Sequence, residues 1–329
     1  MKLVTYRGDS GPRAGVLDPA EGTVTDAGTV LGEPAGVAVA DLIARWGDVA
    51  APLAAAVQAG AAGKIPLTDI TLLAPIPEPA RNVMCVGKNY RDHSAEFARS
   101  GFDASGGGSG GTAGSGDAPE IPSRPVIFTK SPGSVIGPGD PIDPHADLTS
   151  ALDYEAELAV IIGPGDSASR GASGARGIPA ERAWAHVWGY TIINDVTARD
   201  LQRDHKQWFL GKSLDTFCPM GPWAVTADEV DATSLSVRCW VNGELRQKAS
   251  TRDLIFGIPE LIATLSAGIT LHPGDIIATG TPAGVGIGFT PPRFLAPGDE
   301  VTVEIEGLGT LTNPVGGASA AATARNEGA

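Results

Sequence analysis

The fold is decided by the stretch Leu152-Asp153-Tyr154-Glu155-Ala156-Glu157-Leu158-Ala159-Val160-Ile161-Ile162-Gly163. Its apolar part, from Leu158 to Ile162, is typical of a buried strand. Because side chains alternate along a strand, Glu155 and Glu157 are expected on one face, about 7 Å apart. Two buried carboxylates at that spacing repel each other and need a cation between them, a need that a divalent metal with oxygen ligands meets. The alternative is a pair of acids on the solvated face of an edge strand.

Two further segments favour the metal interpretation. The β-rich run at residues 186–193 ends in Asn194-Asp195, so the carboxylate of Asp195 can converge on the two glutamates where the strand stops. Earlier, a strand-like run at residues 81–87 leads into a turn and a helix that carries His93 and Glu96. Three residues apart, these two side chains share one helix face, and a histidine held by a glutamate is a common general base. The alternative is an ordinary His–Glu pair on a helix surface.

Taken together, these blocks resemble the fumarylacetoacetate hydrolase superfamily, in particular its bacterial branch of acylpyruvases and hydroxyheptadienedioate isomerases. The resemblance covers roughly residues 76–315. Six landmarks occur in the family's order: VGKNYRDHSAEF, PVIFTKSPGSVIGPGDPI, LDYEAELAVIIG, GYTIINDVTARDLQ, GKSLDTFCPMGPW and PGDIIATGTPAGVG.

The resemblance implies a role for several residues. The implied ligands of Mg²⁺ or Mn²⁺, for which Ca²⁺ can substitute, are Glu155, Glu157 and Asp195. The implied catalytic residues are the dyad His93 and Glu96 together with Lys212, a cation that faces the substrate. Thr281 is implied to contact the substrate carboxylate. Further contacts to the substrate or to the residues around it are expected from Arg91, Lys130, Arg199 and Gln202.

Two of these residues have plainer interpretations from the sequence alone. Lys212 lies among aromatic residues, where an isolated lysine is more often a surface cation whose stem packs on apolar groups. Thr281 belongs to a glycine-rich run at residues 280–286 that lacks the GK[ST] ending of a phosphate loop. We therefore interpret this run as a close approach of the backbone to a carboxylate.

Composition excludes several classes of protein. The 24 basic and 38 acidic residues give a net charge of −14, which argues against nucleic acid or a membrane surface as partner. The three cysteines, at unrelated spacings, form neither a disulfide framework nor a zinc pattern and indicate a reducing compartment: Cys85, Cys218 and Cys239. The first residues lack an apolar signal region, and no apolar stretch has transmembrane length. A cytoplasmic protein is expected.

The predicted fold is α+β and β-dominated, with the mixed β-sandwich roll that the resemblance implies. Prolines at positions 75, 77 and 79 suggest a seam between a small amino-terminal α+β domain, residues 1–75, and a catalytic domain, residues 76–315. Residues 316–329 are expected to form a disordered tail. Helices are predicted at Val39–Trp46, Ala51–Ala59, Asp195–Lys206 and Arg252–Leu265.

A low-complexity run, Ser105–Gly116, contains seven glycines and is expected to be flexible. The simpler interpretation is a tolerated loop insertion. The alternative is a hinge for a lid that carries His93 and Glu96, in which case the dyad should stand away from the metal ligands when no substrate is bound.

The predicted chemistry is divalent-metal-dependent hydrolysis of a C–C bond in a β-diketo acid, of the acylpyruvate or fumarylpyruvate type, through a metal-stabilised enolate. The alternative enzyme is a decarboxylase or isomerase of oxaloacetate-like or 2-hydroxy-dienedioate acids in aromatic catabolism. A competing class is a binding protein whose acids hold a structural ion. Family members are commonly homodimers, so a homodimer burying more than about 1,000 Å² is expected.

Overall fold

The structure is a computed structural model that describes residues 1–60, 63–102, 121–165 and 174–316. Strands dominate these residues and most helices are short, so the predicted β-dominated α+β class is confirmed. The strands are β1 (Lys2–Gly8), β2 (Gly11–Asp18), β3 (Thr23–Asp26), β4 (Lys64–Pro66), β5 (Leu72–Leu73), β6 (Val83–Gly87), β7 (Val126–Lys130), β8 (Val135–Ile136), β9 (Leu152–Asp153), β10 (Ala156–Ile162), β11 (Val187–Asn194), β12 (Thr197–Ala198), β13 (Cys218–Thr226), β14 (Ser236–Val241), β15 (Glu244–Ser250), β16 (Ile276–Ala278), β17 (Glu300–Ile305) and β18 (Gly309–Pro314). The α-helices are α1 (Ala27–Leu31), α2 (Val39–Ala44), α3 (Trp46–Gln58), α4 (Arg91–Arg99), α5 (Arg199–His205), α6 (Phe209–Lys212) and α7 (Ile258–Ser266).

The largest sheet has the order β4-β3-β2-β1-β13-β11-β10-β16-β6-β7, with β5 beside β1 and β8 beside β13. It is mixed, because β8 and β6 run parallel to their partners β13 and β16. Every residue of β10 and β11, near its middle, is buried. Leu158 and Val160 enter the core on one face, and Ala159 and Ile161 enter the core on the other, as the two-residue period of a strand requires. The buried strand is confirmed, and the edge-strand alternative is wrong.

A second sheet has the order β15-β14-β17-β18. Its residues Val237 and Val303 lie in the same apolar core as Leu158 and Val160 of β10. Two sheets that share one core form the predicted sandwich.

The amino-terminal strands continue the large sheet. β1 pairs antiparallel with β13, with Lys2 opposite Val225 and Leu3 opposite Ala224. Leu3 also shares an apolar core with Ile161 of β10. The predicted boundary near residue 75 therefore separates elements that share a sheet and a core, and it stays a prediction.

Two predicted helices begin later than expected. The helix predicted from Asp195 begins at Arg199, because Thr197 and Ala198 form β12, which pairs with β9. The helix predicted from Arg252 begins at Ile258. Residues 251–253 instead form a short 3₁₀ turn closed by a capping box of Ser250 and Asp253, and Pro259 fits the first turn of α7.

Three predictions concern features beyond the described residues or beyond a single chain. The Ser105–Gly116 run lies outside the described residues, as does the tail apart from Gly316. The structure contains one chain, so the homodimer stays a prediction. Within the described ranges, no helix has the length and apolarity needed to cross a membrane.

Candidate active site

Three acidic side chains converge where β10 begins and β11 ends. The two strands are antiparallel, with Ala156 opposite Asn194, so Glu155 and Glu157 lie beside Asp195. The backbone N–H of Asp195 donates to the carbonyl of Glu155 at 2.8 Å, which fixes this corner. All three carboxylates are buried, and one oxygen from each lies within 4.8 Å of the others. We name these three residues the acidic cluster.

Buried cations hold two members of the acidic cluster. Lys212 Nζ lies 2.8 Å from Glu155 Oε2 and 2.7 Å from Asp195 Oδ2. Arg199 adds an ion pair of 2.7 Å to Glu155, and Lys130 adds one of 2.6 Å to Asp195. Burial raises the pKa of Glu155, but the charges of Lys212 and Arg199 outweigh it and lower that pKa to about 2.

Glu157 is the exception in the acidic cluster. Its Oε2 accepts a hydrogen bond of 2.8 Å from the backbone N–H of Gly280, and no ion pair to it is found among the described residues. Burial, and then the charges of Asp195 and Glu155, raise the pKa of Glu157 well above its usual range. Glu157 is thus the member of the acidic cluster that has no ion pair among the described residues.

The acidic cluster fits a divalent cation. Carboxylate oxygens are the ligands that Mg²⁺ and Mn²⁺ prefer, and separations within 4.8 Å let three oxygens reach one ion after small side-chain shifts. A cation there would also balance the charge of Glu157. Glu155, Glu157 and Asp195 are the residues that would hold it, as the sequence predicts.

The predicted dyad is formed on helix α4. His93 Nδ1 lies 3.2 Å from Glu96 Oε2. The Glu96 carboxylate also accepts the backbone N–H of Gly284, at 3.0 and 3.2 Å from its two oxygens, so it is anchored to the glycine-rich run. His93 is buried and lines the same pocket as Glu155 and Glu157. In this structure the dyad therefore lies beside the acidic cluster, and its displacement in the absence of substrate stays a prediction.

One pocket gathers most of the predicted site residues. The predicted site residues that line it are His93, Glu155, Glu157, Arg199, Gln202, Lys212 and Thr281. Its apolar wall consists of Val86, Phe97, Phe128 and Trp208. The aromatic rings of this wall pack edge to face. The centre of the Trp208 ring lies 5.9 Å from that of Phe97, at 72° between the ring planes, and 5.2 Å from that of Phe128, at 64°. Lys212 Nζ lies 4.9 Å from the centre of the Phe128 ring, so the wall also contacts the buried cation.

Two predicted substrate contacts do not line this pocket. Arg91 is exposed at the start of α4, because residues two positions apart on a helix, such as Arg91 and His93, face different directions. Lys130 is fully buried behind the acidic cluster. Its Nζ donates to Asp195 Oδ1, to the carbonyl of Val196 at 3.1 Å and to the carbonyl of Lys212. Lys130 therefore holds a cluster member and its surroundings in place.

Thr281 lines the pocket, but its hydroxyl is already engaged. It donates to the carbonyl of Ala156 at 3.0 Å and accepts from Gln247 Nε2 at 2.8 Å. Gln247 also accepts the backbone N–H of Ala156 at 3.0 Å. The hydroxyl thus fixes the backbone between the two glutamates, and a direct bond from it to a substrate carboxylate would replace one of these contacts.

Sequence reasoning missed Asp153. Its carboxylate accepts the N–H groups of Gly286 at 2.6 Å and Ile287 at 3.2 Å, and it pairs with Arg199 Nε at 2.9 Å. Asp153 therefore joins the glycine-rich run to the cation that holds Glu155. The signal was present in the alternation of Asp153, Glu155 and Glu157 along one run.

Comparison with known proteins gives related sequences and structures. The family model described as fumarylacetoacetate (FAA) hydrolase C-terminal matches residues 82–316. Oxaloacetate tautomerase YisK of Bacillus subtilis is 52% identical over 251 residues, which are 76% of this chain and 74% of that protein. Among solved structures, the fumarylacetoacetate hydrolase of Exiguobacterium antarcticum is 42% identical with a TM-score of 0.76, over 96% of this chain and 99% of that one. The maleylpyruvate hydrolase of Sphingobium sp. SYK-6, in complex with manganese(II) and pyruvate, is 31% identical with a TM-score of 0.71, over 97% and 100%.

Proposed function

Because this chain belongs to the fumarylacetoacetate hydrolase family and is one of its enzymes, we propose that it is a divalent-metal-dependent oxaloacetate tautomerase. Such an enzyme interconverts the keto and enol forms of a small 2-oxo diacid. The observation that carries the proposal is the placement of His93, held by Glu96, in one small pocket with the acidic cluster. The 52% identity to an oxaloacetate tautomerase supports this choice among the activities of the family.

Two groups in the pocket can bind oxygen atoms of the substrate, namely a divalent cation and the side-chain amide of Gln202. When bound by Glu155, Glu157 and Asp195, a divalent cation supplies Lewis-acid polarisation of the 2-oxo group. The Oε1 of Gln202 accepts a hydrogen bond of 3.1 Å from Arg199, so the NH₂ group of Gln202 is the part that can donate to a substrate oxygen.

Proton transfer is assigned to His93. Its Nδ1 is held by Glu96, which leaves Nε2 to take a proton from C3 of the substrate. His93 releases this proton to solvent and the 2-oxygen takes one up, so the composition is unchanged and no bond between heavy atoms breaks. The reverse steps return the enol to the keto form. Glu96 fixes the orientation of the ring and is itself fixed by Gly284.

Lys212 supplies positive charge beside the 2-oxygen. Burial lowers the pKa of this lysine, but the charges of Asp195 and Glu155 outweigh burial and raise it above its usual value. Lys212 therefore stays an ammonium group and can neutralise the charge that develops on the oxygen. The wall of Phe97, Phe128 and Trp208 limits the access of water, which strengthens this interaction.

The second candidate is hydrolysis of a C–C bond in an acylpyruvate-type acid. It is favoured by the likeness to a maleylpyruvate hydrolase over nearly the whole chain. The same His–Glu dyad would then activate a water molecule. The distinction lies in whether His93 takes a proton from carbon or from water.

One assay separates these candidates. The enol absorbance of oxaloacetate is followed with Mg²⁺, with Mn²⁺ and with a chelator, while pyruvate formation is measured in parallel, and an acylpyruvate is tested in the same way. We expect metal-dependent loss of enol above the uncatalysed rate without stoichiometric pyruvate. His93→Ala should abolish it, and His205→Ala, an exposed histidine on α5, should not. Pyruvate formed in step with enol loss would indicate decarboxylation, and cleavage of the acylpyruvate alone would indicate the hydrolase.

A further inference from the structure

Asn89 connects three separate segments next to the site. It lies at the corner between β6 and α4 and is fully buried. Its Nδ2 donates to the carbonyls of Phe256 at 3.0 Å and Thr279 at 2.7 Å. Its Oδ1 accepts the N–H of Phe256 at 2.8 Å, and its own carbonyl accepts the N–H of Ile255 at 2.7 Å. Both amide donors and the amide acceptor are therefore used.

The segments that Asn89 joins carry parts of the catalytic site. The corner at residues 88–90 begins helix α4, because the carbonyl of Tyr90 accepts the N–H of Ser94 at 2.9 Å. Thr279 directly precedes Gly280, whose N–H donates to Glu157. One side chain thus bonds directly to the segment that supports Glu157 and belongs to the corner that starts the helix of the dyad.

The backbone at this junction is closely packed and in an uncommon conformation. Gly280 has φ +107°, and a Cβ added there would lie 2.7 Å from Asn89 Cβ. Lys88, next to Asn89, has φ +56°, a conformation that a non-glycine residue adopts only when its surroundings hold it. The bonds of Asn89 are part of those surroundings.

We propose that Asn89 is a positioning residue that sets the dyad helix against the metal ligand Glu157. The proposal rests on the proposed function only for the identity of the substrate. An asparagine is required because the site needs two donors and one acceptor on a short side chain. Alanine leaves two buried carbonyls and one buried N–H without a partner, and aspartate has no donor for the two carbonyls.

The test compares Asn89→Ala with Asn313→Ala. Asn313 is a similarly buried asparagine whose Nδ2 donates to the carbonyls of Gly137 at 2.8 Å and Asp140 at 2.9 Å, and neither of these bonds goes to the acidic cluster or the dyad. Three quantities are measured on each protein: the Mn²⁺ dissociation constant by calorimetry, kcat at saturating Mn²⁺, and amide hydrogen exchange of residues 91–99 in chelated protein. The melting temperature of each variant is recorded as well.

For Asn89→Ala we expect the Mn²⁺ dissociation constant to rise and kcat to fall, each about 10- to 100-fold, with faster exchange in α4. Asn313→Ala should lose comparable thermal stability while affinity and kcat stay within about twofold of the wild type. In Gly280→Ala the added Cβ would collide with Asn89 Cβ. This variant should therefore also raise the Mn²⁺ dissociation constant.

Normal Mn²⁺ affinity and normal α4 exchange in Asn89→Ala would overturn the proposal, even if the protein melts earlier. If Asn89→Ala does not fold, the Mn²⁺ constant of Asn89→Ser, whose shorter hydroxyl cannot make all three of the amide's bonds, decides the matter in the same way. If the wild type fails to convert oxaloacetate, the proposed function is wrong, while the Mn²⁺ and exchange measurements still decide the role of Asn89.

Discussion

Two regions of this molecule bury carboxylates beside cations, and they differ in how completely the charges are matched. In the amino-terminal region, the Asp26 carboxylate accepts hydrogen bonds from Arg13 Nε at 2.9 Å and from Arg13 Nη2 at 2.7 Å. It also accepts the Tyr6 hydroxyl at 2.6 Å and, as the N-cap of helix α1, the N–H of Thr29 at 2.7 Å. In the acidic cluster, by contrast, Glu157 receives the N–H of Gly280 and has no described ion pair.

The pKa values of the two regions move in opposite directions. Burial raises the pKa of Asp26, but Arg13 and the other donors outweigh it and hold that pKa well below its usual range. Burial also raises the pKa of Glu157, and the neighbouring carboxylates raise it further. A buried carboxylate alone therefore does not indicate function. The difference between the two regions is that Asp26 has an ion pair and Glu157 has none among the described residues.

The largest expected effect tests this difference at Glu157. Glu157→Gln removes the unbalanced charge and one ligand, so Mn²⁺ affinity and turnover should both fall at least about 100-fold, equal to about 2.7 kcal/mol. In chelated protein, the free energy of unfolding should stay the same or rise, because repulsion with Asp195 and Glu155 is lost. Calorimetry and urea unfolding measure the two quantities. A large loss of stability in chelated protein would mean that Glu157 is balanced after all.

The next effect concerns the cation behind the acidic cluster. Lys130→Met removes the donor to Asp195 Oδ1 and to two carbonyls, so Asp195 is no longer fixed. We expect the Mn²⁺ dissociation constant to rise about 10- to 100-fold and the KM for oxaloacetate at saturating Mn²⁺ to change little. The exposed Lys248→Met is the control. A large rise in KM with normal metal affinity would restore Lys130 to the substrate contacts.

The sequence predicted the grouping of the three carboxylates in the acidic cluster because their placement depends on local rules. Strand alternation places Glu155 and Glu157 on one face, and the end of the next β-rich run places Asp195 beside them. The same local rule on a helix pairs His93 with Glu96. These side chains are brought together by short-range periodicity and one antiparallel strand pair.

The sequence did not predict the roles that depend on distant pairing. Lys130 bonds to groups 65 to 82 residues away along the chain, and no pattern around it indicates those partners. The pairing of β1 with β13 is likewise non-local, so the sequence alone does not show that the amino-terminal strands extend the central sheet.

The contrasting substitution in the amino-terminal region is Asp26→Asn. It leaves Arg13 without its ion pair, so the free energy of unfolding at neutral pH should fall by about 2–3 kcal/mol, while the Mn²⁺ dissociation constant stays unchanged. The exposed Asp9→Asn serves as control in the same urea titration. A change in metal affinity without loss of stability would reverse the roles assigned to the two regions.

The contribution of the amino-terminal region to the free energy of unfolding should depend on pH in the alkaline range. Burial, and then the hydrogen bond to Asp26, raise the pKa of Tyr6 from 10.0 to about 12. A group whose pKa is raised on folding stabilises the protein below its unfolded pKa, and this stabilisation is lost as the pH rises through the folded value. The window for Tyr6 is therefore pH 10 to 12.

The smallest effect is the change of this stabilisation with pH, measured as the difference between wild type and Tyr6→Phe. At neutral pH the wild type should be more stable by about 1.5–3 kcal/mol, since it has a hydrogen bond to a charged acceptor. As the pH rises through the window, that advantage should shrink by up to about 2.7 kcal/mol, because unfolded Tyr6 ionises before folded Tyr6 does. Burial also raises the pKa of Tyr90 and Tyr190, so both proteins lose stability at high pH, and only the difference between them isolates Tyr6. In an Asp26→Asn background the shrinkage should be smaller. If the difference in the free energy of unfolding stays constant from about pH 9 to about pH 12, the hydrogen bond to Asp26 does not raise the pKa of Tyr6. The charge of Asp26 would then be less well balanced than its contact distances indicate.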